Sequence, residues 1–155
     1  MLRQTHFAYN TPLGHLTLSS NGEAITGLAF GAVKLDGEEA PTLLTNRAAN
    51  ELQEYFAGKR QAFTVPLSVS GSAFQESVWH AIARIPYGQT RSYSDIAASA
   101  GSPGAYRACG MAANANPIPI FIPCHRVIGA NGKLVGYAGG MDIKEFLLNL
   151  ERDYA

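Results

Sequence analysis

The chain has 155 residues, of which 46% are hydrophobic and 15% charged, and its formal net charge at neutral pH is zero. That is enough apolar material to build a core, which argues against disorder, and the length suits one compact domain or two small ones. No apolar run approaches the roughly 18 residues of a membrane span, and the opening MLRQTHFAYNTPLG lacks the apolar segment of a signal peptide.

In chain order, GHLTLSSNGEAITGLAF alternates Leu16 and Leu18 before Asn21-Gly22, which predicts a hairpin closed by a type I′ turn. NRAANELQEYFAG places Ala48, Leu52, Tyr55 and Phe56 at helical spacing, with Gly58 as the stop. FTVPLSVSG then reads as extended chain leading to a linker near Gly71. The expectation is an α+β protein, with an N-terminal α/β domain over 1–70 and a mostly helical domain over 71–155.

The second domain opens with SAFQESVWHAIARIP. Ser72 and Gln75 form a capping box, Phe74, Val78, Ile82 and Ile85 share a face, and Pro86 and Gly88 end the helix. SYSDIAASAG predicts a short helix closed by Gly101, and SPGAYRACGMAANAN another, with Ser102 as N-cap and Pro103 in the first turn. Two short helices joined by a few residues that include glycine form a helix-turn-helix pattern. PIPIFIPCHRVIGANGKLVGYAGG reads as extended, with a second Asn-Gly turn. MDIKEFLLNLERDYA reads as a helix with Ile143, Phe146, Leu147 and Leu150 on one face. Residues 72–140 carry Arg84, Arg91, Arg107, Arg126 and Lys133 against Glu76 and Asp95, a mild basic excess that favours an anionic partner.

The two cysteines, Cys109 and Cys124, make no disulfide framework and point to a reducing, cytoplasmic setting, and no CxxC or HExxH spacing predicts a metal site. Cys124 stands beside His125 and Arg126, both able to favour a thiolate, which is the nucleophilic form of cysteine. Neighbours on an extended strand point to opposite faces, so His125 reaches the sulfur only if the chain bends there, or through a water. The residues alone leave two readings open: a cysteine nucleophile with no named substrate, and a packed, inert thiol. Cys109 has no activating neighbours and reads as a packing residue, as does Trp79.

IPCHRVIGANGKLVGYAGG resembles the active-site signature of the O6-alkylguanine-DNA alkyltransferases. TPLGHLTL, FQESVWHAIARIPYGQTRSYSDIA, YRACGMAANANPIPIFIPCHRV and LLNLE resemble family segments in the same order, so the likeness, to the short bacterial form, spans essentially the whole chain. It implies a ribonuclease H-like N-terminal domain and a winged-helix-like C-terminal domain. By position, Cys124 matches the alkyl acceptor, His125 the general base acting through a water, Glu151 the carboxylate that orients it, and Asn116 the hinge asparagine. Arg107 matches an arginine finger that fills the space of a flipped guanine, and Tyr93 a tyrosine that pushes the target phosphate. Ser102 and Ala105 complete the expected DNA-binding set, while Val127, Tyr137, Ala138 and Gly139 match the guanine pocket.

The implied activity is irreversible, single-turnover transfer of an alkyl group from O6-alkylguanine, and from O4-alkylthymine, in double-stranded DNA to Cys124. The resemblance implies binding through the minor groove by a monomer without cofactor, membrane or metal. Some members carry an N-terminal zinc site, for which the first 70 residues here offer only His6 and His15. Three rivals fit less well. A non-catalytic lesion-binding relative replaces the acceptor cysteine, a helix-turn-helix regulator has no use for PCHR, and a Cys-His hydrolase needs an oxyanion-hole motif.

Overall fold

The computed structural model describes residues 3–155, and the chain divides into two compact units between Val69 and Ser70. In the first unit, strands β1 (Thr5–Thr11), β2 (Gly14–Ser20), β3 (Ile25–Phe30) and β4 (Glu38–Glu39) precede helix α1 (Leu43–Phe56). The sheet order is β3-β2-β1-β4, antiparallel except where β4 runs parallel to β1. Leu16 and Leu18 are fully buried, as are Ala48, Leu52 and Tyr55 of α1, so the predicted apolar stripes of strand and helix meet as one core.

Two local expectations are corrected here. The β2–β3 connection is a four-residue loop, Asn21 to Ala24, rather than a type I′ turn, closed by Asn21 N donating to Ala24 O at 3.2 Å. Asn21 Oδ1 accepts from the amides of Glu23 and Ala24, each at 2.9 Å, so the side chain organises the loop and Asn21 itself need not adopt positive φ. Helix α1 begins at Leu43, ahead of the predicted stretch, because Thr42 and Thr45 form a capping box.

The second unit contains α2 (Ala73–Ala83), β5 (Arg91–Ser92), α3 (Tyr93–Ser99), α4 (Tyr106–Asn114), a 3₁₀ turn (Cys124–Arg126), β6 (Val127–Ile128) and α5 (Met141–Tyr154). Ser72 and Gln75 cap α2 reciprocally, and Ser92 with Asp95 does the same for α3. Trp79 is buried and donates its indole N–H to Ala112 O at 2.8 Å, tying α2 to α4. Gly110 of α4 lies against the Tyr93 ring of α3. Strands β5 and β6 pair in parallel, Arg91 opposite Val127 and Ser92 opposite Ile128, which brings the start of α3 beside the PCHR segment.

Three expectations for this unit are also corrected. Helix α4 starts at Tyr106 with Ala105 as its cap, not at Ser102. Ala105 N instead closes a turn onto Ser102 O at 3.0 Å, and Gly104 at φ 89° carries the chain through a conformation that no helix start contains. The segment after α4 is not one extended run: turns and irregular chain surround the 3₁₀ turn and β6. The Asn131-Gly132 turn is present, with Gly132 at φ 74° and Gly129 N donating to Lys133 O at 2.8 Å. Finally, α5 buries Lys144, Leu147 and Glu151 and leaves Phe146 exposed, so its inward face is set by two charged residues.

Candidate active site

Cys124 is presented by a loop that the sequence forces out of regular structure. Pro117, Pro119 and Pro123 each lack a backbone donor and disfavour a helical residue before them. The loop closes on itself instead. Asn116 Oδ1 accepts from Ile118 N at 2.9 Å and Asn116 Nδ2 donates to Ile122 O at 2.9 Å, so one buried amide ties both ends. Ile122 N donates to Ile118 O, and Cys124 N to Ile122 O at 2.7 Å. Ile120 holds φ 73°, the one positive value outside glycine among the described residues. A β-branched residue there costs on the order of 1–3 kcal/mol, and its burial with Ile118, Phe121 and Ile122 offsets the strain.

The chain bends at the thiol. Cys124, His125 and Arg126 form a 3₁₀ turn, so successive side chains fan about a third of a turn apart rather than pointing to opposite faces. All three are buried. His125 Nε2 lies 2.7 Å from Glu151 Oε2 on α5. Arg126 donates through Nε to Glu151 Oε1 at 2.8 Å, through Nη2 to Oε2 at 2.9 Å, and through Nη1 to Ile85 O at 2.7 Å. Gly88 N adds a fourth donor to Glu151 Oε1 at 3.1 Å. Arg126 was expected to favour the thiolate directly, but its charge is committed to Glu151.

Burial pushes the Glu151 carboxyl up, but hydrogen bonds and charge from His125 and Arg126 outweigh it and hold the group well below the usual carboxylate range. Burial lowers His125, with Glu151 pulling the other way and Arg126 and Lys144 adding to the depression. The imidazole is therefore neutral near pH 7. With Nε2–H donated to the carboxylate, its basic lone pair sits on Nδ1, which has no hydrogen-bond partner among the described residues. Burial raises Cys124, opposed by a hydrogen bond with Asn116, the charge of Lys144 and a backbone amide. Cys109, buried in α4, is pushed up to about 11 by burial, in keeping with a packing role.

The other expected residues fall into two groups. Tyr93 and Tyr137 lie near the thiol: burial raises both hydroxyls, and the charge of a thiolate at Cys124 would raise them further. The Tyr93 hydroxyl donates to Val135 O at 3.0 Å, so a phosphate contact would require that bond to break. Val127 is buried, whereas Ala138 is exposed and Gly139 half-buried. Arg107 stands exposed on α4 beside Tyr106, Ala108 and Met111, on the side away from buried Cys109, Ala112 and Ala113. Ser102 and Ala105 sit half-buried in the α3–α4 loop.

Sequence reasoning missed Lys144 and the clamp of Arg126 on Glu151. A signal was present: Lys144, Leu147 and Glu151 repeat at helical spacing, which puts two opposite charges on one buried stripe of α5. No group of three or more His, Cys, Asp or Glu side chains among the described residues could hold a metal ion.

Fold and site together define a two-unit α+β protein with a helix-turn-helix and a buried thiol beside a His-Glu-Arg cluster. Residues 6–69 match the model of the 6-O-methylguanine DNA methyltransferase ribonuclease-like domain, and residues 73–153 that of the same family's DNA binding domain. A methylated-DNA–protein-cysteine methyltransferase of Methanosarcina barkeri is 49% identical over 148 residues, 92% of this chain and 94% of that protein. The constitutive Bacillus subtilis protein of that name is 49% identical over 153 residues, 92% of each. The crystal structure of Mycobacterium tuberculosis OGT in complex with DNA superposes with a TM-score of 0.91 at 43% identity, covering 97% of this chain and 94% of that one. The chain belongs to the 6-O-methylguanine DNA methyltransferase family.

Proposed function

We propose that this protein repairs duplex DNA by moving the alkyl group of O6-alkylguanine onto Sγ of its own Cys124. The observation that carries the reading is the buried Cys124–His125–Glu151 arrangement: Glu151 holds Nε2–H of His125 and leaves Nδ1 as a base on the turn that carries the thiol. In the transfer, the thiol proton passes toward His125, through a water if one stands between. The sulfur attacks the alkyl carbon in line, and the C–O6 bond breaks. The base leaves as ordinary guanine once it regains a proton at N1, so protons balance. The product is a thioether with no reactive leaving group, and each molecule reacts once. O4-alkylthymine offers the same bond to the same attack.

The buried thiol cannot reach an alkyl carbon inside a base stack, so the target nucleotide must leave the duplex. On this reading Arg107, exposed on α4, fills the gap, with Ala105 at the start of α4 and Ser102 in the loop before it against the backbone, and Tyr93 near the target's phosphate. Val127, Tyr137, Ala138 and Gly139 would then surround the base. That the M. tuberculosis relative was solved with DNA supports DNA as the partner.

The test is intact mass after incubation with duplex DNA containing O6-methylguanine. One added methyl group, mapped to Cys124 and absent in Cys124→Ser, is the expected result. Repeated turnover, or an adduct elsewhere, overturns the reading.

A further inference from the structure

Lys144 is fully buried in the first turn of α5, and its setting is unusual for a lysine. Its three ammonium protons go to three neutral backbone carbonyls: Val127 O at 2.6 Å, Val135 O at 3.1 Å and Gly136 O at 3.2 Å. No ammonium proton is left over for a carboxylate. Burying a full charge against uncharged acceptors is costly, and such a residue is retained where its charge has a task. An ordinary core residue of similar length, such as methionine, would fill this volume at no such cost.

The three carbonyls point to the task. Val127 follows the PCHR turn, and its own N–H bonds back to Cys124 O, so Lys144 grips the carbonyl of the residue that closes the turn bearing the thiol. Val135 and Gly136 belong to the loop between β6 and α5, between the turn closed by Gly129 N on Lys133 O and the one closed by Gly140 N on Tyr137 O. Val135 O also receives the Tyr93 hydroxyl, so α3 and α5 hold the same carbonyl. Around the thiol stand Asn116 from the preceding loop, Tyr93 from α3, Tyr137 from the pocket loop, His125 next in the chain, and Lys144 from α5. Arg126 is bound to Glu151 and His125 is neutral, so Lys144 is the free positive charge of this set.

We propose that Lys144 is a positioning residue with two linked tasks: it is the counter-charge for the thiolate that forms at Cys124, and it is the strut that fixes the pocket loop through Val127, Val135 and Gly136. Poising the nucleophile and shaping the space before it thus depend on one side chain. The inference rests on Cys124 being the acceptor. It accounts for a lysine, rather than an apolar residue, on the inward face of α5.

Two variants separate charge from strut. Lys144→Met removes both, whereas Lys144→Gln removes the charge and keeps a donor for the loop. The readouts are the pH dependence of Cys124 carboxamidomethylation by iodoacetamide, mapped by mass, and hydrogen exchange over residues 127–137. In both variants the midpoint for Cys124 should rise by about one pH unit, a tenfold smaller thiolate fraction at neutral pH. Exchange in the loop should quicken in Lys144→Met and stay near the parent rate in Lys144→Gln. A midpoint unchanged in either folded variant overturns the proposal and leaves Lys144 a structural strut. If Lys144→Met does not fold, Lys144→Gln carries the decision. The alkyl-acceptor reading fails separately, if the unsubstituted protein takes no methyl group from O6-methylguanine DNA while its thiol still titrates.

Discussion

Replacing Glu151 with glutamine tests whether the cluster behind the thiol is as dry and as charged as its geometry implies. The carboxylate receives four donors, from His125, Gly88 and twice from Arg126, at 2.7 to 3.1 Å. Its side chain is 1% exposed and that of Arg126 8%. Glutamine keeps one oxygen but presents an amide to donors, and it leaves a guanidinium buried without its counter-ion. Removing one partner of a buried ion pair costs about 3–5 kcal/mol, a large part of the roughly 5–15 kcal/mol that holds a domain. For a unit of this size that is a fall in melting temperature of roughly 12 °C or more.

The pH dependence adds a sign to the magnitude. Glu151 is held below its unfolded value, so its stabilisation is complete above about pH 4.3 and is lost as pH falls toward the folded value. Glutamine does not titrate. The stability gap between parent and Glu151→Gln, read from urea unfolding, should therefore narrow as pH drops from about 5 to 3. His125, lowered by burial, adds a loss that begins on the acid side of about pH 6.5 in both proteins. A gap below about 1 kcal/mol, flat down to pH 3, would refute the reasoning, because only a solvated pair behaves so. The paired change Arg126→Met with Glu151→Leu should recover stability. It should not recover alkyl transfer, since His125 then has no carboxylate to set its tautomer.

Three further outcomes are expected. Arg107→Ala should slow repair of duplex DNA far more than reaction with free O6-benzylguanine, which needs no flipping; equal losses would place Arg107 in the pocket or the fold instead. Tyr93→Phe removes the donor to Val135 O, so it should cost about 0.5–1.5 kcal/mol and speed exchange in the pocket loop; if only duplex repair falls, with loop exchange unchanged, the hydroxyl works on the DNA. Benzylation of Cys124 should lower the melting temperature, since the sulfur is buried and overpacking a core costs typically about 1–3 kcal/mol; an adduct that melts with the free protein would show spare room around the thiol.

Much of the fold was legible because its signals are local. Ser72 and Gln75 announce a helix start within four residues, and the spacing of Ala48, Leu52 and Tyr55 announces a buried face. Errors fell where a side chain or a distant partner overrode the local pattern. Asn21 organises its own loop, so Asn-Gly did not give the expected turn. Gly104 delayed α4 past Ser102. On α5 the apolar count favoured Ile143 and Phe146, yet Lys144 and Glu151 lie inside because carbonyls of residues 127, 135 and 136 and the side chains of His125 and Arg126 satisfy them there. None of those partners is visible at helical spacing. Glu151 was expected at the site by resemblance alone, and on its residues it would pass for a solvated helix end.

The resting thiol makes physical sense once its direction of shift is taken seriously. A thiolate exposed at neutral pH reacts with any electrophile or oxidant that arrives, and on the proposed mechanism one such event ends the molecule's usefulness. Burial raises Cys124, so at rest the sulfur is protonated and slow. The groups that oppose this shift are Asn116 and Lys144, and on the proposed mechanism the base that takes the proton is the neutral His125 held by Glu151. After transfer the thioether carries no charge, and Lys144 faces a neutral sulfur on the same turn it grips through Val127.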